Sequence, residues 1–302
     1  SSRRRHTRFR NVTGVQTCAL PISGLVKMAG PVDPELSILA ARNSSGAPTA
    51  LLGNYGLHYV GDVRPISADY FGVFAESVKA RLKTENLSPR FVGIMSNGTS
   101  GDVNNVRFAG PAPMPKPEFG QTRFVGEDVA ESATQAYQKL DFAESLTVDA
   151  AEKEIRLAVR KPSNKEIVRA KDILAQAKNK VLTTMPEVYA RESLLLTTYP
   201  DFVECRIQVL RIGGLAIAAI PCETFTEIGL NLKKKSPFLK TFVISLANGY
   251  NGYLPTPEQH ALGGYETWRA RSSYLEVQAS DKIQSTIIEL FAQLKARAAT
   301  KE

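Results

Sequence analysis

Residues 206–223 read RIQVLRIGGLAIAAIPCE, and their pattern decides the fold class. RIQVLRI and LAIAAI, the second apolar throughout, lie on either side of Gly213-Gly214, which supplies a tight turn between them, so the stretch reads as a β-hairpin. A strand apolar on both faces belongs inside a sheet, with neighbours on either side. It runs directly into Pro221-Cys222-Glu223. A carboxylate just past a buried strand needs a charge partner or a metal, because an unpaired buried charge is heavily penalised. The plainer reading makes Glu223 an acidic residue at the first turn of a helix over 224–234.

Outward from the hairpin, strand and helix signals alternate. Strands are predicted over 36–41, 50–58, 90–95, 146–159 and 241–247, and helices over 70–82, 125–140, 164–180, 186–197 and 280–297. Alternation together with an antiparallel hairpin gives an α/β fold, with mixed β-sheets flanked by helices in a single domain over 24–302. The stretch 50–62, ALLGNYGLHYVGD, places His58 at the end of an apolar run, and a lone histidine there is usually a satisfied structural residue. Its company makes it a candidate. The strand at 90–95 empties into SNGTSGDVNN, a Gly-rich polar loop of the kind in which open α/β proteins place their chemistry. Ser100 in that loop lacks a G-x-S-x-G elbow, and the loop lacks the lysine of a phosphate-binding P-loop. The proline-rich piece 109–120 reads as an extended surface loop.

The first two dozen residues stand apart. VTGVQTCALPI at 12–22 is, residue for residue, the translation of a sequencing-library adapter, so residues 1–23 are read as a non-native leader and set aside. Five arginines go with them, which leaves 33 basic against 30 acidic residues from a formal charge of +8. That balance gives no ground for a nucleic-acid partner. Cys205 and Cys222 remain, too few for a disulfide framework although enough for one bridge. No apolar run reaches the roughly 18 residues that span a bilayer.

From residue 32 to 276 the chain resembles the catalytic domain of the neutral, or non-lysosomal, ceramidases, which are zinc-dependent amide hydrolases. VDPE at 32–35, the strand ending in His58, ISADY at 66–70, GDV at 101–103, Glu223 after its buried strand and the twelve-residue step from Tyr253 to Tyr265 follow the family's order. The resemblance implies Zn²⁺ held by His58, Glu223 and Tyr253, with Tyr265 hydrogen-bonding the reacting carbonyl oxygen and Asp102 and Asn104 in the catalytic loop. It also implies a small lipid-amide substrate, contact with membrane surfaces through that substrate, and action in the periplasm or outside the cell. Three departures accompany it. The family's first zinc histidine, in a HTHSGP-like motif, has no counterpart here; Asn104 stands where the family has serine; and the C-terminal β-sandwich is missing. The expectation is therefore an N-terminally truncated enzyme, inactive as written. Two other readings are a non-catalytic lipid- or glycan-binding relative, and a metal-free serine hydrolase using Ser100. The expected geometry is convergence of His58, Glu223 and Tyr253 with Tyr265 and the 101–105 loop at a single sheet edge.

Overall fold

The computed structural model describes residues 28–61, 66–84, 90–105, 117–177 and 181–299. The leader at 1–23 lies outside them, as does most of the proline-rich piece.

A smaller sheet holds β1 (Ser37–Arg42), β2 (Pro48–Tyr55) and β3 (Val92–Asn97), with β1 antiparallel and β3 parallel to β2. Helices α1 (Asp69–Arg81) and α2 (Gly120–Tyr137) pack with it. Tyr70, Phe74 and Val78 are the buried face of α1 and join Leu51 of β2 and Val125 and Val129 of α2 in one core. Phe71 stacks on Tyr70 and is only partly buried, so the inward face begins one residue earlier than the aromatic spacing suggests.

The larger sheet runs β4 (Val148–Ala158), β5 (Phe202–Ile212), β6 (Leu215–Ile220), β8 (Lys240–Ser245). Its first two pairings are antiparallel and the last is parallel, so both sheets are mixed, as the hairpin implied. LAIAAI is indeed interior, between β5 and β8. Leucines, isoleucines and Phe291 of α7 (Ala279–Ala299) close over the sheet beside Phe225, Ile228 and Leu232 of the α5 segment (Thr226–Lys235). On the chain between β4 and β5, α3 (Asn164–Ala175) and α4 (Met185–Leu196) each start at a capping box, Ser163 with Glu166 and Thr184 with Glu187. Cys205 and Cys222 are buried and free, and burial pushes the Cys205 thiol up to about 11.

Asn54 joins the two sheets. Its side-chain amide, buried on β2, donates to Ser96 Oγ at 3.0 Å and to the Val243 carbonyl of β8 at 3.1 Å. Beyond β6 and β8 a short parallel pair forms from β7 (Glu223–Thr224) and β9 (Tyr253–Leu254), then α6 (Pro257–Leu262) and a 3₁₀ turn at Tyr265–Thr267 follow. Among the described residues no helix is long and apolar enough to cross a membrane.

Candidate active site

The site lies outside the carboxyl ends of two parallel pairs, β2 with β3 and β6 with β8, where open α/β folds hold ligands. It therefore draws on both sheets and the β7–β9 pair rather than the single sheet edge anticipated from sequence. Nor does His58 end a strand: β2 stops at Tyr55, whose carbonyl accepts from Gly98 N at 2.8 Å. A side chain on Gly98 would lie 2.9 Å from the Gly56 nitrogen, so the two chains crossing here need glycine.

His58 is fixed at both ring nitrogens. Nδ1 lies 2.8 Å from the Ser100 carbonyl, which only accepts, so Nδ1 carries the hydrogen. Nε2 faces Glu223 Oε2 at 3.5 Å, and both side chains are largely sheltered from solvent. Glu223 and Tyr253 are direct partners in the β7–β9 register, and the Tyr253 ring lies nearly parallel to that of His58, 6.5 Å away between centroids. Tyr265 meets Tyr253 edge-on at 5.7 Å. Burial first, then the proximity of Tyr265 and Glu223, holds the Tyr253 phenol far above its ordinary range, and a hydrogen bond between the two phenols adds to this. Burial and Glu266 likewise raise Tyr265, while its bond with Tyr253 works the other way, as it must when Tyr253 is the donor. Both phenols are held neutral in this environment. A cation brought to them would reverse that balance.

The 98–105 loop packs against β7, with Gly101 N donating to the Thr224 carbonyl at 2.8 Å. Asp102 turns toward the start of α5. Its Oδ1 accepts from Thr226 N and Thr226 Oγ1, each at 2.9 Å, and so caps a helix whose own N-cap residue, Phe225, has no capping side chain. The sequence motif marks Asp102 but does not reveal this direction. Asn104 Oδ1 accepts from Asn105 N at 2.9 Å, and Asn105 Nδ2 reaches back to the Tyr59 carbonyl. Ser100 is almost fully buried, and its Oγ donates to Asn97 Oδ1 at 3.0 Å. An amide oxygen takes no proton from a nucleophile, and His58 touches the Ser100 carbonyl rather than its hydroxyl, so among the described residues neither of these contacts supplies Ser100 with a base.

Two residues that sequence reasoning passed over support the tyrosine-bearing turn. Arg160 donates to the Thr267 carbonyl at 2.9 Å and to the Ser273 carbonyl and hydroxyl at 2.7 and 2.9 Å, while Tyr253 N is held by the Ser272 carbonyl at 2.8 Å. Burial, with Arg269 nearby, lowers the Arg160 guanidinium to about 10. His260 of α6 is lowered to about 4 by burial and by Arg160. Its folded value lies below the unfolded 6.5, so between these limits the unfolded chain binds the extra proton, and stability falls as pH drops from about 6.5 to 4. For a partly exposed ring this loss is about 2 kcal/mol. Thermal melts at pH 7 and pH 4.5 should differ less in His260→Gln than in the unsubstituted chain; equal slopes would show that His260 is not the acid-sensitive group.

No protein-family model matches the chain, and no curated protein matches its sequence. Solved structures do match. Neutral ceramidase from Pseudomonas aeruginosa superposes with a TM-score of 0.63 at 17% identity, over 88% of this chain and 47% of that one. A ceramidase complexed with C2 gives a TM-score of 0.64 at 16% identity, over 98% of this chain and 51% of the other. The chain shares the fold of the neutral ceramidases and spans about half of their length.

Proposed function

We propose that this chain carries the catalytic site of a ceramidase-type hydrolase that uses zinc to cleave the amide bond of an N-acyl lipid. The observation that carries this reading is the approach of His58 Nε2 to Glu223 Oε2 at 3.5 Å beside Tyr253 and Tyr265. The donor chemistry fits the ion: imidazole nitrogen, carboxylate oxygen and phenol oxygen all suit Zn²⁺. His58 also has the outer contact usual for a metal-binding histidine, its far nitrogen held by a backbone carbonyl. Among the described residues no three His, Cys, Asp or Glu side chains gather as a metal site, and the proposed set has only two of these, with a phenol as third donor.

When bound, zinc brings the pKa of a water near neutrality and polarises the amide carbonyl. His58, Glu223 and Tyr253 would hold it. Tyr265 donates a hydrogen bond to the carbonyl oxygen as negative charge develops there. Asp102 acts at one remove, locking the start of α5 to the loop that packs on Glu223. Asn104 offers amide hydrogen bonds to the substrate and no nucleophile.

The test is release of fatty acid from a short-chain N-acylsphingosine with zinc supplied, by this chain and by a gene product extended upstream to the implied histidine motif. The expected result is hydrolysis by the extended product, far slower turnover by this chain, loss on chelation and recovery with zinc, and activity retained in Ser100→Ala. Turnover indifferent to chelation and abolished in Ser100→Ala would replace the zinc reading with a serine hydrolase. Lipid binding without hydrolysis by the extended product would make the protein a non-catalytic binder.

A further inference from the structure

The two oxygens of Glu223 have different neighbours. Oε2 faces His58, whereas Oε1 accepts a hydrogen bond from the Tyr250 hydroxyl at 3.0 Å. Tyr250 is 55% exposed, and its contact with Glu223 is set by the backbone that carries it. Asn251 donates to the Pro221 carbonyl through its backbone N at 2.8 Å and its side chain at 3.2 Å, and Tyr274 holds the Asn251 side-chain oxygen at 2.7 Å. Leu246 N is bonded to the Cys222 carbonyl, and Glu223 N to that of Gly252. The segment bearing Tyr250 is thus pinned on both sides to the segment bearing Glu223. Within it, Leu246 and Asn248 have φ of +58° and +65°, a left-handed backbone that is unfavourable for non-glycine residues and persists only where surrounding contacts enforce it.

We propose that Tyr250 is a positioning residue for the metal centre, holding Glu223 as a donor through Oε2 alone. The inference rests on the reading of Glu223 as a zinc ligand. A hydrogen bond to a carboxylate oxygen is among the stronger ones. With Oε1 engaged by Tyr250, the carboxylate would present Oε2 alone to a bound metal.

Cobalt(II) serves as a visible probe in place of zinc. The chain is titrated with Co²⁺, and affinity and d–d absorption are read for the unsubstituted protein, Tyr250→Phe and Glu223→Gln, with circular dichroism to confirm that each variant folds. Tyr250→Phe should lose about 10- to 100-fold in affinity, the range seen when an outer hydrogen-bond partner of a ligand is removed. Its visible band should also weaken, because a carboxylate binding through two oxygens raises the coordination number. A Tyr250→Phe titration and spectrum identical to those of the unsubstituted chain would overturn the positioning role while leaving the metal reading intact. No cobalt binding by the unsubstituted chain, with Glu223→Gln no different, would overturn the metal reading and this inference with it.

Discussion

Gly101→Ala should lower the stability of this protein by about 2–4 kcal/mol, the combined scale of a forced close contact and a lost backbone hydrogen bond. A methyl group at this position would sit 2.5 Å from the Glu223 carbonyl oxygen, 3.0 Å from its carbonyl carbon and 3.0 Å from the Phe225 ring. Backbone cannot swing aside as the end of a flexible side chain can. Relief requires the 98–103 loop to lift from β7, which lengthens the Gly101 N to Thr224 carbonyl bond, or requires β7 itself to move. Either way Glu223 shifts relative to His58. The melting temperature should fall by roughly 5–10 °C. Gly214→Ala provides the control, because its added methyl would meet Leu239 at an ordinary 3.5 Å. A Gly101→Ala protein that melts with the unsubstituted chain would mean that the loop does not bear on β7 as described.

The contrast between these two glycines shows what the sequence makes legible. Gly213-Gly214 sits between a mixed run and an all-apolar one, and a local pattern of that kind specifies a local structure, so the hairpin and the interior placement of LAIAAI follow from residues alone. The capping boxes at Ser163 and Thr184 are local in the same sense. Gly101 is constrained by a strand more than 120 residues away, and nothing in SNGTSGDVNN encodes that partner. Strand runs likewise carry no record of which sheet they join, which is why one sheet edge was expected where two sheets contribute. Asp102 and Tyr250 illustrate the same limit at the level of side chains. A motif singles out the aspartate and an aromatic cluster contains the tyrosine, but the capping of α5 by one and the hold on Glu223 by the other are long-range geometry.

His58→Ala should abolish measurable metal binding, a loss greater than the roughly 10- to 100-fold that follows removal of an outer-shell partner. The argument starts from the ring's orientation. The Ser100 carbonyl can only accept, so the hydrogen on Nδ1 is committed there, and Nε2 is left facing a carboxylate oxygen at 3.5 Å. Two lone pairs so placed repel unless a proton or a metal ion lies between them. A proton in that place makes the contact an ion pair of structural value; a metal makes it a binding site, and the two outcomes separate cleanly by experiment. In a structural pair, His58→Ala leaves Glu223 without its partner and lowers the melting temperature whether or not zinc is present. In a metal site, the metal-free melting temperature changes little, and the rise in melting temperature on adding zinc disappears. The second pattern is the expected one. Zinc stabilisation that survives in His58→Ala would remove His58 from the donor set and leave Glu223 and Tyr253 without the nitrogen ligand on which the site is built.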